Sequence, residues 1–263
     1  GRRMLTSEEI EQNMSGWNDK GYAYFQNCYQ RIISTQYHRP FLFPKAKVDG
    51  TASFYFINDK EIGYGTEGAR LKLARLHDNR MRQSYTAQFV LSKRLSARKM
   101  IHGTVAYQYF RLNDSISYFN PDYLPDRATS TNYPSLGLSY VNDQRDIRSF
   151  PLSGYKYGAS IRAYGLPGIS NTQFAKVTAS FSHHVALSKR WNFAYGSQNF
   201  LLLGNRIPYF DKYFVGFGSF LRGYEPYVID GSFINLTKAE WKFGIIPYHF
   251  AHLKWIPFQK FRD

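Results

Sequence analysis

The sequence predicts an all-β fold, a transmembrane antiparallel β-barrel with a short N-terminal helical segment. Three observations predict it. Apolar and polar residues alternate with period two from about residue 46 onward, in segments long enough for tilted strands to cross a bilayer. Short connections between these segments alternate with long ones. Tyr and Phe are abundant, 22 of each in 263 residues, and aromatic residues favour strands and membrane–water interfaces.

The overall composition agrees with a barrel and excludes some other classes of protein. The mean hydropathy is −0.45, but a barrel strand exposes only every second residue to lipid, so averaged hydropathy does not reveal it. The single cysteine, Cys28, excludes an intramolecular disulfide and argues against a thiolate metal cluster. The net charge is +15. Its Lys and Arg residues are scattered through alternating segments, which favours a polar lumen or anionic headgroups over nucleic acid.

The N-terminal 44 residues differ in character from the rest. Residues 5–20 are predicted to be a helix, because they combine capping-box spacing with apolar residues at i, i+4 and i+7. These positions are Thr6, Glu9, Ile10, Met14 and Trp17. Pro40 and Pro44 indicate a linker. Residues 1–44 are therefore assigned to a helical leader or to the end of a small α+β module, two interpretations that stay open, and residues 45–263 to the barrel.

The alternating region predicts about ten strands. Their ranges are 46–57, 61–77, 83–94, 99–112, 134–143, 154–166, 172–187, 191–204, 233–246 and 250–258, with part of another in 207–221. In the strand at 239–245, Trp241 and Phe243 face one way and Lys238, Glu240 and Lys242 face the other. The first set is predicted to face lipid and the second to face the lumen. Trp191, Trp241 and Trp255 are predicted to belong to interfacial aromatic girdles.

A charged cluster at one strand end invites an enzymatic interpretation. Asp143, Arg145 and Asp146 precede Pro151 and Gly154. Their place before a turn favours a structural charge network over a carboxylate pair or metal site. The adjacent His183 and His184 would point to opposite faces of a strand. Since no nucleophile elbow, P-loop or HExxH pattern occurs either, no catalytic residue, metal or cofactor is predicted.

Two distant motifs carry a family resemblance. The first is VNDQRDIRSFPLSG at 141–154, and the second is FVGFGSFLRGYEPY at 214–227, which contains Leu221, Arg222, Gly223 and Tyr224. Their order and separation resemble the superfamily of outer-membrane assembly and translocation barrels that includes BamA, TamA and the two-partner-secretion transporters. The resemblance is most extensive over residues 134–246.

The resemblance implies sixteen strands, preceding POTRA modules, and a weak seam between the first and last strands. The helical segment would then be the end of a POTRA-like module. The resemblance also implies that the Arg222 motif is the tip of a long extracellular loop folded into the lumen. The family has an acidic residue on the following strand, and Glu240 matches it, so an Arg222–Glu240 bond is expected. Because only 39 residues follow Tyr224, the barrel is expected either to be incomplete at its C-terminus, as part of a larger chain, or to be divergent from the family.

The function implied is that of a bacterial outer-membrane insertase that folds and inserts β-barrel clients without chemistry. Two alternatives stay open: a two-partner-secretion type of polypeptide transporter, and a barrel that anchors a fused periplasmic enzyme. The expected partners are outer-membrane lipids or lipopolysaccharide, unfolded outer-membrane protein clients, and accessory periplasmic or surface lipoproteins.

Overall fold

The structure, a computed structural model, describes residues 5–28, 30–75, 80–166, 168, 170, 172–205, 207–216 and 227–245. The strands within these ranges are β1 (Leu5–Gln12), β2 (Lys20–Asn27), β3 (Gln30–Phe43), β4 (Val48–Asp59), β5 (Glu61–Glu67), β6 (Arg70–Arg75), β7 (Arg82–Ser96), β8 (Lys99–Leu112), β9 (Ser130–Asp143), β10 (Gly154–Tyr164), β11 (Gln173–Ala186), β12 (Trp191–Asn205), β13 (Tyr213–Gly216), β14 (Val228–Gly231) and β15 (Phe233–Phe243). One α-helix, α1 (Asp114–Phe119), and short 3-10 turns at Pro44–Ala46, Pro125–Arg127 and Tyr209–Asp211 complete the described elements. None of the helices in these ranges is long and apolar enough to cross a membrane.

Eleven of the strands form one antiparallel sheet in the order β1-β2-β3-β4-β7-β8-β9-β10-β11-β12-β15. Each strand pairs with the next of these in the chain, which is the meander expected of an up-and-down barrel. The hairpins β5–β6 and β13–β14 lie within two of the connections. Among the described residues the sheet is open, because β1 and β15 each pair on one side only. The all-β antiparallel prediction is confirmed.

The prediction of a helix over residues 5–20 is wrong. Residues 5–12 form β1 and pair with β2 from Leu5↔Asn27 to Gln12↔Lys20. The capping-box residues lie inside this strand, and the chain then turns through Asn13, Gly16 and Asn18, all with positive φ. A continuous helix cannot contain such a turn. Local propensity favoured a helix, but pairing with β2 satisfies the same backbone groups within a much larger sheet.

The boundary predicted near residue 44 does not separate two structural units. β3 ends at Phe43 and pairs with β4 from Gln30↔Asp59 to Phe43↔Val48, with a register shift between Arg39 and Phe43. The two prolines that indicated a linker lie at this irregular end of β3 and in the 3-10 turn that follows it. A strand end tolerates proline because few ladder hydrogen bonds are lost there.

The strand predicted over residues 61–77 is a hairpin instead. β5 and β6 pair with each other and with no strand of the large sheet. Gly68 and Ala69, with φ of 55° and 60°, form the two-residue turn between them. Of the two remaining predicted segments, 207–221 contributes β13 within its described part, and 250–258 lies outside the described residues.

The two faces of the large sheet differ in chemistry. One face, here called the outer face, carries exposed apolar side chains from β3 to β15, including Ile33, Phe54, Phe89, Val105, Leu136, Ile161, Phe181 and Trp241. The opposite, inner face carries polar side chains such as Ser53, Ser135, Arg162, Lys176 and Lys238. A sheet face on which most side chains are apolar and exposed is typical of lipid contact.

The connections differ in length at the two ends of the strands. At one end, here called the short-turn rim, the chain turns at 13–19, 44–47, 97–98, 144–153 and 187–190. At the other, here called the long-loop rim, the connections include 60–81, 113–129 and 206–232. In outer-membrane barrels the short turns face the periplasm and the long loops face outward.

The long loops share a small apolar core of their own. Its buried members are Ile62, Ala74, Met81, Leu112, Ile116, Tyr123, Leu124 and Tyr209. They come from the β5–β6 hairpin, the residue before β7, the end of β8, α1 and the loop after it, and the Tyr209–Asp211 turn. The loops at this rim therefore pack against one another.

Candidate functional site

The loop between β12 and β15 begins against the inner face of the sheet. Its Asp211 carboxylate accepts a hydrogen bond from the Tyr133 hydroxyl on β9 and lies 2.6 Å from the Lys176 Nζ on β11. The side chains of Asp211 and Lys176 are 11% and 21% exposed. Little solvent competes for this ion pair, so it holds the start of the loop to the wall.

Aromatic packing reinforces this attachment. The Phe210 ring lies 4.7 Å from that of Phe110 and 5.8 Å from that of Tyr123, centroid to centroid. Burial in this cluster raises the pKa of Tyr123 to about 12. The described beginning of the loop is therefore fixed by both a charge pair and an aromatic cluster.

The two loop hairpins contact each other. The Val228 N–H of β14 donates to the carbonyl oxygen of Ala69 at 2.7 Å. The Arg70 guanidinium lies 6.0 Å from the centre of the Tyr227 ring, and the hydroxyls of Thr66 and Tyr209 are 2.8 Å apart. The β12–β15 loop is therefore attached to the β4–β7 loop as well as to the sheet.

The motif Leu221, Arg222, Gly223 and Tyr224 lies outside the described residues. Its proposed partner, Glu240, lies on the inner face of β15, opposite Ala194 of β12. The Glu240 side chain is 63% exposed, and its carboxylate is 3.5 Å from the Lys242 ammonium. With His184 and Lys238 it lines a concavity of about 200 Å³. Glu240 is thus accessible to a further cation from the lumen.

The charged cluster at the end of β9 forms a compact turn. Arg145 donates to both carboxylate oxygens of Asp143, through Nε at 2.8 Å and a terminal nitrogen at 2.7 Å. The Asp146 carboxylate accepts the N–H groups of Ile147 and Leu152 at 2.8 and 3.1 Å. Partial desolvation acts to raise the pKa of Asp146, but backbone N–H groups outweigh it and hold that pKa below its usual range.

The same turn reaches across to the inner face of β15. The Lys242 Nζ donates to the carbonyl oxygen of Pro151 at 3.3 Å and lies 4.6 Å from the centre of the Phe150 ring. The motif residues 143–154 therefore link β9 and β10 to a strand about 90 residues further along the chain. Among the described residues, no group of three His, Cys, Asp or Glu side chains could hold a metal ion.

The outer face contains a polar cluster that the sequence interpretation missed. Ser197, Asn199, Asn235 and Thr237 share the outer face of β12 and β15 with Tyr195 and Trp241. The Asn235 amide donates to the Asn199 side-chain oxygen at 2.6 Å and to the Ser197 hydroxyl at 3.1 Å. Leu201 and Phe233 follow toward the long-loop rim, so apolar residues flank the cluster along both strands. In the sequence, this cluster was indicated only by polar residues at 197, 199, 235 and 237, where the alternation predicts apolar residues.

The geometry defines a class of protein: a β-sheet of barrel type with an apolar outer face, a polar inner face, and a long loop attached to the inner face. The model of the Omp85 superfamily domain matches residues 13–241. The chain belongs to the Omp85 superfamily, and it is a bacterial outer-membrane β-barrel protein.

A solved structure shows the same fold. The crystal structure of BamA from Haemophilus ducreyi lacking POTRA domains 1–3 superposes with a TM-score of 0.66 at 15% identity. The alignment covers 84% of this chain and 42% of that one, so the chain spans less than half the length of its structural relative. No curated protein matches in sequence.

Proposed function

We propose that this protein is an outer-membrane insertase that folds and inserts β-barrel clients, and that it carries out no chemical reaction. Membership of the Omp85 superfamily supports a role in assembly or translocation. The sixteen-strand barrel, the POTRA modules and the accessory lipoproteins that the resemblance implies are part of this proposal. Insertion would use the free energy of client folding, with client strands adding to strand edges by β-augmentation.

The polar cluster on the outer face is the observation that favours an insertase over a polypeptide transporter or a membrane anchor. Side-chain amides and hydroxyls in contact with hydrocarbon are costly. A conduit for polypeptides needs a polar lumen, and an anchor needs a continuous apolar band, so neither accounts for amides on the lipid side. Polar groups there draw water and headgroups into the bilayer beside β12 and β15, which lowers the barrier to an entering strand.

The double variant Asn199→Leu/Asn235→Leu tests this proposal. We expect the barrel to become more stable by about 1–3 kcal/mol, because two amides leave the lipid-facing surface. We expect client insertion to become slower, because the bilayer beside the cluster is no longer perturbed. Urea unfolding of the full-length protein and the rate of client insertion in proteoliposomes measure the two effects.

The matched control is the inner-face pair Ser160 and Thr178, whose hydroxyls are 2.7 Å apart. Ser160→Ala/Thr178→Val removes a hydrogen-bonded polar pair that faces the lumen, so its insertion rate should equal that of the wild type. An outer-face variant that inserts clients at the wild-type rate would rule out the role of the cluster.

We further propose that Arg222 binds Glu240 and holds the loop tip in the lumen. The support is that Glu240 faces the lumen with an accessible carboxylate, and that the described start of the loop lies against the inner face. Gly216, which precedes the motif, has a φ of 96° that only glycine adopts easily. Leu221, Gly223 and Tyr224 would form the tip, with Tyr224 stacking in the lumen.

A charge exchange tests the Arg222–Glu240 bond. Arg222→Glu and Glu240→Arg should each impair insertion, since each places two like charges together. The combined variant should recover activity, with a coupling free energy of about 1.5–3 kcal/mol. Lys238→Glu, on the same face of β15, is the control for a general change of charge. Additive losses in the combined variant would show that the two side chains do not interact.

A further inference from the structure

The charge of the chain is distributed unevenly between the two rims. Counting the described residues in the connections and three strand residues on either side, the short-turn rim carries eleven Lys and Arg against five Asp and Glu. The long-loop rim, counted in the same way, carries eleven against eight over a longer stretch of chain. The short-turn rim is therefore the more basic end of the sheet.

The acids of the short-turn rim are mostly engaged within their own turns. Asp19 accepts hydrogen bonds from the Ser15 N–H and the Tyr37 hydroxyl, and Asp49 accepts one from the Phe41 N–H. Asp143 binds Arg145, and Asp146 binds backbone N–H groups. Four of the five acids are thus held by hydrogen bonds within the rim.

Most of the bases at this rim are exposed. A Leu-Ser-Lys-Arg sequence occurs twice at this rim: at 91–94, in β7 shortly before the 97–98 turn, and at 187–190, which is the turn between β11 and β12. Lys93, Arg94, Lys189 and Arg190 are all exposed, and no acid lies within salt-bridge distance of them among the described residues. Lys45, Lys47 and Lys99 add exposed bases to neighbouring turns.

Aromatic and aliphatic side chains border these bases on the outer face. Trp191, Tyr195, Trp241 and Phe243 are 40–65% exposed near the ends of β12 and β15. Leu95 and Leu187 are also exposed, at 53% and 55%, directly beside the two basic pairs. Aromatic rings at a strand end mark the level where hydrocarbon meets headgroups. The bases lie at or just beyond that level.

We propose that the short-turn rim is a binding surface for anionic phospholipid headgroups, with the two Leu-Ser-Lys-Arg segments as its principal contacts. The leucines and aromatic rings contact the acyl chains, and the adjacent Lys and Arg bind the phosphates above them. This arrangement fits a lipid better than an acidic protein, because bases and lipid-facing apolar residues alternate along the chain. The proposal depends on the membrane-spanning fold and not on insertion activity.

Lipid selectivity can be measured by tryptophan fluorescence. Trp17, Trp191 and Trp241 lie at the short-turn rim, within reach of brominated lipids that quench indole emission. The full-length protein is reconstituted in phosphatidylcholine vesicles that contain equal mole fractions of either brominated phosphatidylglycerol or brominated phosphatidylcholine. We expect the anionic lipid to be favoured about fivefold or more at low salt, and less at high salt.

The variant Lys93→Gln/Arg94→Gln/Lys189→Gln/Arg190→Gln should reduce this preference to near unity. The control replaces four exposed bases of the long-loop rim, Lys60, Lys72, Arg127 and Lys212, with Gln and should keep the preference. Heat-modifiable migration on gels verifies that both variants are folded. Equal quenching by the two lipids, or the same loss of preference in both variants, would overturn the proposal, as would wild-type preference in the first variant. Salt-sensitive capture of an acidic protein without lipid preference would overturn it too.

Discussion

Gly154→Ala is expected to prevent the normal assembly of β10 against β9 and β11. Gly154 has a φ of 95°, and a Cβ there would lie against the carbonyl oxygen of Gln144 and 2.9 Å from the Cα of Arg145. Both obstacles are backbone atoms, so no side-chain rotation relieves the clash. We expect destabilisation on the order of 3 kcal/mol or more, measured as a lower urea midpoint and a smaller heat-modifiable folded fraction.

Gly103→Ala is the matched control for this substitution. A Cβ at Gly103 of β8 meets no atom within 4 Å and requires no unusual φ. Its effect on the free energy of unfolding should stay within about 1 kcal/mol. Equal behaviour of the two alanine variants would show that the turn at 144–153 rearranges freely, and that it does not fix the strands it joins.

Asp211→Asn is expected to release the beginning of the β12–β15 loop from the inner face. The substitution leaves Lys176 without its 2.6 Å carboxylate partner and weakens the bond from the Tyr133 hydroxyl. Breaking a largely buried ion pair costs several kcal/mol, and partial exposure of both side chains reduces this to about 2–3 kcal/mol. Limited proteolysis within 206–232 should become faster, and client insertion should decline with it.

Asp122→Asn serves as the control for the change of charge. Asp122 is exposed in the neighbouring 113–129 loop, and its replacement should leave proteolysis unchanged. The double variant Asp211→Asn/Lys176→Met should recover part of the loss, since it also removes the ammonium that has lost its carboxylate. Wild-type protease resistance of Asp211→Asn would mean that aromatic packing around Phe210 alone holds the loop.

Within the described residues, the sequence predicted the strands of the large sheet from residue 46 onward within a few residues. The β5–β6 hairpin was predicted as a single strand, and β14 was not predicted. The alternation of apolar and polar residues predicts the strands of the large sheet because one face of the sheet contacts lipid and the other lines a polar lumen. The polarity of each side chain therefore indicates which face it lies on. The alternation is weak in β1, because the charged residues Glu9 and Glu11 lie on the outer side. In addition, Thr6 and Glu9 have the spacing of a capping box at a helix N-terminus. Pairing with β2 decided that these residues form a strand and not a helix.

The candidate site was predicted unevenly. The placement of Glu240 on the lumen side followed from alternation alone. Asp211, Lys176 and Tyr133 were not singled out, because they come from three segments and form a site only when β9, β11 and the loop meet. The polar cluster of Asn199 and Asn235 was missed for the same reason, since its hydrogen bonds join two strands separated by a long loop.

The sequence by itself determined the class of protein, the alternation of the strands and the positions of the two family motifs. These are local properties, fixed by which solvent each side chain meets and by short backbone turns. Only the tertiary structure decided that the N-terminal segment is sheet, that the long loop begins against the inner face, that polar groups meet on the outer face, and that bases gather at one rim. Each of these depends on strand pairing between distant segments, and no short stretch of the chain encodes such pairing.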